Sequence, residues 1–198
     1  MTERLHLLSD TAFEEFQATL KARIARMGAE IGAEQIEPLL DPPLRRIVKN
    51  GFIEASAHEG TIWLVDHTEE FLVPVFNTGP HASDIVGKFK QPLSTGLVSM
   101  VFATEQPFLE NEVSRNAQQS KLLDTQLQVQ THALIAVPLH VLNACRGVVS
   151  CVQLKAAGEG QTPGFRPEHL ATVQATTALL TRLIEYRLLS RIVGLEGD

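Results

Sequence analysis

Cysteine is scarce here: the 198 residues hold two, Cys145 and Cys151, so a disulfide-stapled scaffold is excluded and a reducing compartment fits. Basic charge is in deficit. There are 17 Lys and Arg against 23 Asp and Glu, a formal charge of −6 and a pI near 5.6. No basic run exceeds the pair Arg45-Arg46. The phosphate-neutralising face that supplies most nucleic-acid affinity is therefore missing, and no nucleic-acid partner is expected. A small anion in one pocket is still compatible with an acidic chain. Long apolar runs are absent too: none reaches the ~18 residues of a spanning helix, and MTERLHLLSD has no export-signal apolar segment. The expectation is a cytoplasmic protein with no membrane partner.

Catalytic and metal signatures are also wanting. The histidines are His6, His58, His67, His81, His132, His140 and His169, and none stands three or four residues from another His or Cys. Zinc spacing is thus absent. Neither a nucleophile elbow nor a phosphate-cradling Gly-rich loop occurs. Nothing in the sequence points to an enzyme, and no cofactor is identified.

What is present is ordinary globular composition, 44% hydrophobic and 20% charged, at a length suited to one domain with additional helices. Phe13, Phe16, Leu20, Ile24, Met27 and Ile31 recur in steps of three and four and predict an amphipathic helix over 11–31. Asp41-Pro42-Pro43 reads as a second helix entry, with Leu44, Ile47 and Val48 on one face and an end near Ala57. Next come TIWLV (Thr61 to Val65) and FLVPVF (Phe71 to Phe76), a strand hairpin whose Pro74 marks an edge or a bulge. TIWLV is apolar on both faces, so both sides of its sheet should be covered.

A loop over Asn77 to Gly87, a strand in Lys88 to Leu93, a short helix to Thr104 and a strand in Phe108 to Val113 follow. A helix over Asn116 to Val129 comes next, then a second hairpin (His132 to Val141 and Gly147 to Leu154) and a flexible connection, Ala156 to Gly164. After Pro167 there is no Pro or Gly as far as Val193, and Leu170, Val173, Leu180, Ile184, Leu188 and Ile192 align. Such a helix would span about 40 Å, about twice a ~20 Å strand, so its end would project unless another surface covered it. Self-association is the preferred explanation. Residues 1–40 are read as a helical extension, 41–193 as the domain with its long C-terminal helix, and 194–198 as a tail.

Five stretches resemble the GAF domain family in its own order and separations: TIWLVD (Thr61 to Asp66), STGLVSMVFATEQPFLENEV (Ser94 to Val113), LIAVPL (Leu134 to Leu139), GVVSCVQL (Gly147 to Leu154) and FRPEHLATV (Phe165 to Val173). The resemblance covers about Leu44 to Leu189. It implies an α+β fold, a five- or six-stranded antiparallel sheet with terminal helices on one face and a loop- and helix-covered pocket on the other. It further implies a sensory or regulatory module that signals through its terminal helices, as a homodimer or through a signalling protein partner. No output domain is visible, so such a module would act on a partner or form part of a larger receptor. A scaffold with a filled pocket is the alternative, and a thiol-dependent free methionine sulfoxide reductase is a more distant one.

The family's cyclic-nucleotide signature is mostly missing. Phe165 is present, but Gln153-Leu154-Lys155 stands for the Asn-Lys pair and His169-Leu170 for Asp-Glu. No Cys precedes Cys145, which removes the usual bilin thioether, and both thiols lie on the last hairpin rather than in the pocket loops where the reductases carry theirs. His132 is the candidate haem ligand, against a plainer role as a surface or hydrogen-bonded residue. Thr95 opens a helix whose free N–H groups suit an anion, beside its plainer role as a cap. Phe76, Phe89, Phe108, Leu123 and Ile135 are candidates to line or fill a cavity, and Arg115 and Asn116 are the polar candidates at the expected lid helix.

Overall fold

The computed structural model describes residues 11–155 and 163–193. The first ten residues, the connection over 156–162 and the expected tail 194–198 lie outside them. The N-terminal helix α1 (Thr11–Glu30) buries only Gly28, and Phe16 stays 61% exposed. Ile24 and Met27, near its end, reach the core. One short turn, α2 (Ala33–Ile36), leads to α3 (Pro42–Glu54), capped by Asp41, whose carboxylate accepts from the Leu44 N–H at 2.9 Å and from Arg187 at 2.7 Å. Helix α3 stops short of the expected Ala57 because Ser56 turns the chain at φ 57°.

Six strands form one antiparallel sheet: β1 (Glu59–Val65), β2 (Phe71–Asn77), β3 (Gln91–Pro92), β4 (Phe108–Glu110), β5 (Thr131–Val141) and β6 (Ala144–Leu154), in the order β3-β2-β1-β6-β5-β4. The β1–β2 register shifts between Ile62↔Phe76 and Trp63↔Pro74, a bulge beside the proline that cannot donate to the ladder. The β5–β6 hairpin turns on Leu142 (φ 52°) and Asn143 (φ 67°), the two left-handed positions of a two-residue turn. A second bulge leaves Arg146 between the pairs Leu139↔Gly147 and His140↔Cys145. Its buried guanidinium donates to the Ile31 carbonyl and to Glu69, tying the end of α1 to the sheet.

Alternation along the strands divides the core in two. Ile62, Leu64, Ile135, Val137, Val149 and Cys151 face the helices, where α3 gives Leu44, Val48 and Phe52. The C-terminal helix α7 (Pro167–Val193) gives Val173, Leu180, Ile184 and Leu188 to the same layer. Helices α3 and α7 touch closely, since a Cβ at Gly51 would stand 2.1 Å from the Thr176 hydroxyl. On the other face Trp63, Val65, Leu72, Leu134, Ala136 and Val148 meet three short helices: α4 (Ala82–Ile85), α5 (Leu97–Thr104) and α6 (Leu122–Leu127). Both faces of β1 are therefore covered. No helix among the described residues is long and apolar enough to cross a membrane.

Three expected elements here are shorter than their patterns, the strand over Phe108 to Val113 ending at Glu110. The strand over Lys88 to Leu93 is reduced to Gln91–Pro92, because the N–H groups of Lys88 and Phe89 bond back to the Ile85 carbonyl. The helix over Asn116 to Val129 contracts to α6. The Asn116 side chain accepts from the Gln118 N–H in a local turn, and Gln128 (φ 55°) ends the helix.

Candidate functional site

The second face of the sheet is covered but not filled. A cavity of about 100 Å³ lies between the sheet, from which Trp63, Leu134, Ser150 and Val152 rise, and the short helices, which supply Ile85, Leu97, Val98, Leu123 and Leu127. That is small beside the ~300–1,000 Å³ of common ligand pockets and suits a compact molecule. Trp63 is 4% exposed, donates from its indole N–H to Ser150 Oγ at 2.8 Å, and meets Phe89 edge-on at 6.1 Å. Ser150 is thus a buried hydroxyl within the apolar run Val148 to Val152, held by a specific partner.

Helix α6 and the segment before it form the cover. Asp124 fastens them to the start of β5: its carboxylate accepts from the Thr131 N–H at 2.9 Å, the Thr131 hydroxyl at 2.7 Å and Gln119 Nε2 at 3.2 Å. Leu123 and Leu127 point inward, while Leu122 is 51% exposed. Two polar atoms under this cover, Gln119 Oε1 and Ser120 Oγ, are buried with no hydrogen-bond partner among the described residues. Burying such groups unpaired costs about 1–3 kcal/mol each.

Of the nine residues singled out from sequence, Leu123 lines the cavity. Phe89 and Phe108 pack in the same core layer, Phe89 directly against Trp63. Ile135 and Phe76 belong to the opposite, helix-covered layer, where Phe76 lies 5.9 Å beneath the Arg45 guanidinium. The one-residue neighbour of each, Leu134 and Asn77, lines the cavity instead, as strand alternation requires. Thr95 offers its backbone carbonyl to Gln91 Nε2 at 2.7 Å, and it stands outside the lining. Arg115 is spent on Glu112 at 2.8 Å and Asn116 on Glu110 at 3.0 Å; neither reaches the cavity, nor does His132. Glu59, Trp63, Gln119, Ser120, Asp124 and Ser150 were not singled out. The available signals were the chain's single tryptophan and a lone serine within GVVSCV.

The thiols stand apart from this space. Cys151 is fully buried in the helix-side layer, and burial pushes its thiol well above the ordinary range. Cys145 precedes the Arg146 bulge, and burial raises it to about 11. Thiolate is the reactive form, so iodoacetamide at pH 7.5 is expected to alkylate both roughly 100-fold more slowly in the native chain than in urea. Rapid native labelling of either cysteine, read by mass spectrometry, would contradict this environment.

A helix layer on one side of an antiparallel sheet and a lidded cavity on the other define an α+β domain built around a small internal site. The GAF domain model matches residues 40–184, and the chain belongs to that family. Its fold is similar to the GAF domain/HD domain protein from Geobacter sulfurreducens (14% identity, 78% of this chain and 98% of that one, TM-score 0.57). It is also similar to the GAF-B domain of DevS from Mycobacterium smegmatis (17%, 77% and 99%, TM-score 0.57). A type II free methionine-R-sulfoxide reductase from Thermoplasma acidophilum shares the fold at lower likeness (15%, 72% and 96%, TM-score 0.50). A search of curated proteins finds no matching relative.

Proposed function

We propose that this chain is a cytoplasmic regulatory domain that senses a small molecule in the cavity above Trp63 and performs no chemistry on it. The observation that carries the reading is the cavity itself: apolar walls, a tethered cover, and buried polar atoms of Gln119 and Ser120 left without partners. A scaffold would fill this volume with side chains. A thiol reductase would need a cysteine there, and neither Cys145 nor Cys151 lines it.

Occupancy acts through the cover. A ligand that favours the closed position of α6 shifts the balance of states only by its unequal affinity for them. The output surface is formed by α1 and α7, which leave Phe16, Leu179 and Tyr186 exposed at 61%, 45% and 71%. Pairing of these helices between two copies, or with a signalling partner, would cover them.

Native mass spectrometry of protein purified from its source at micromolar concentration tests both halves. The expected spectrum is a dimer carrying a retained small molecule. A monomer at every concentration removes the homodimer. A dimer that carries nothing, with no Trp63 fluorescence change across a metabolite library, supports the scaffold instead.

A further inference from the structure

The formal charge lining the cavity has one sign. Its lining contains two carboxylates, Glu59 and Asp124, and no Lys, Arg or His among the described residues. Asp124 already accepts from the three donors that fasten the cover. Glu59, the first residue of β1, is not: its half-buried carboxylate accepts no hydrogen bond and joins no ion pair among the described residues. It lies against the backbone of Gly79, where a Cβ would come within 2.2 Å of Oε2, so the loop after β2 holds it in place by packing alone.

The other open groups agree with it. Gln119 turns its amide nitrogen to the Asp124 carboxylate, which fixes the side-chain orientation and leaves Oε1, an acceptor, as the buried unpartnered atom. The Ser120 hydroxyl beside it accepts as readily as it donates. A carboxylate or phosphate ligand would meet this negative charge with no Lys, Arg or His in the lining to offset it, at a severe desolvation cost.

We infer that the cavity binds a small organic cation, an ammonium-bearing molecule with an apolar body, and that Glu59 is the residue that recognises its charge. The apolar part lies against Trp63, Leu97, Leu123 and Leu127, and the N–H donors go to Glu59 and Gln119. This inference rests on the cavity being the ligand site.

Burial has already pushed the Glu59 carboxyl above its usual range, with His81 and His58 opposing the shift; His81 is itself paired with Asp84, and Asp124 lies on the cover. The sign follows. A carboxyl that holds its proton more tightly in the folded state costs stability as pH rises through its folded value. Glu59→Gln is therefore expected to melt about 1–3 °C higher than the parent at pH 8 and equally at pH 4. Loss of binding with gain of stability separates a recognition residue from a structural one.

The test uses three probes of matched size, butylammonium, butyramide and butyrate, titrated at pH 8 with Trp63 emission and thermal shift as readouts. Butylammonium is expected to bind roughly tenfold or more tightly than butyrate. Glu59→Gln should abolish that preference while butyramide binding persists. Equal or tighter binding of butyrate, or an unchanged preference in Glu59→Gln, overturns the charge assignment and leaves the cavity as a site for another ligand class. No binding by any of the three overturns the inference together with the ligand-site reading.

Discussion

Gly147→Ala is expected to destabilise the fold by more than about 4 kcal/mol. A Cβ at this position would stand 2.0 Å from the Trp63 carbonyl oxygen and 2.9 Å from Leu64 Cδ2. The first of these is backbone, and it belongs to the strand that Gly147 opposes in the ladder, Leu64↔Gly147 beside Trp63↔Val148. Relief requires β1 and β6 to separate, and their pairing is the seam between β3-β2-β1 and β6-β5-β4. Losing it breaks both cores together. A cost above about 4 kcal/mol consumes much of the 5–15 kcal/mol by which domains are stable. The measurement is urea unfolding followed by circular dichroism. Gly87→Ala is the control: φ is +70° there but nothing lies within 4 Å, so the loss should stay near 1–2 kcal/mol. If the two variants unfolded at similar urea concentrations, the close approach at Gly147 would be refuted.

The elements that could be read from sequence are those whose pattern and packing agree. Helix α7 runs over the predicted residues because an uninterrupted apolar stripe from Leu170 to Leu188 meets one broad sheet face. The first hairpin follows from two short apolar runs separated by the polar turn Asp66 to Glu70, the second from two apolar runs around Leu142 to Arg146, and the double-sided burial of β1 is visible in TIWLV itself. The cover was harder. Residues 116–129 carry helical periodicity, but Asn116 and Asp124 direct their side chains to nearby backbone, at Gln118 and Thr131, and only Leu122–Leu127 coils.

The site was less legible than the fold, for a physical reason. In a strand buried on both faces, composition does not tell which alternate residue faces which layer. Leu134 and Ile135 are equally apolar, yet one lines the cavity and the other packs beneath the helices. Register, set by three shifts in the strand pairing and a two-residue turn, decides it. The polar lining is hidden for another reason. Glu59 and the pair Gln119-Ser120 come from two segments far apart in sequence, and what distinguishes them is the side-chain oxygens left unpartnered after folding.

Trp63→Ala carries the second large effect and bears directly on the cavity. The indole is 4% exposed and packs edge-on to Phe89. Truncating it removes one of the largest apolar surfaces on this face and leaves Ser150 Oγ without its donor. Aromatic truncations of this kind cost about 3–5 kcal/mol, which for a chain of this length lowers the melting temperature by roughly 10 °C. Trp63→Phe separates the two contributions, because it keeps most of the buried ring and deletes the N–H. Its loss should be about 1–2 kcal/mol, since the hydrogen bond contributes about 1 kcal/mol net. Adding Ser150→Ala to Trp63→Phe should then cost less than it does in the parent, for the bond is already gone. A double variant whose losses simply add would mean that Trp63 stabilises by packing alone. In that case Ser150 would be free to meet a ligand, and the polar set beneath α6 would gain a donor.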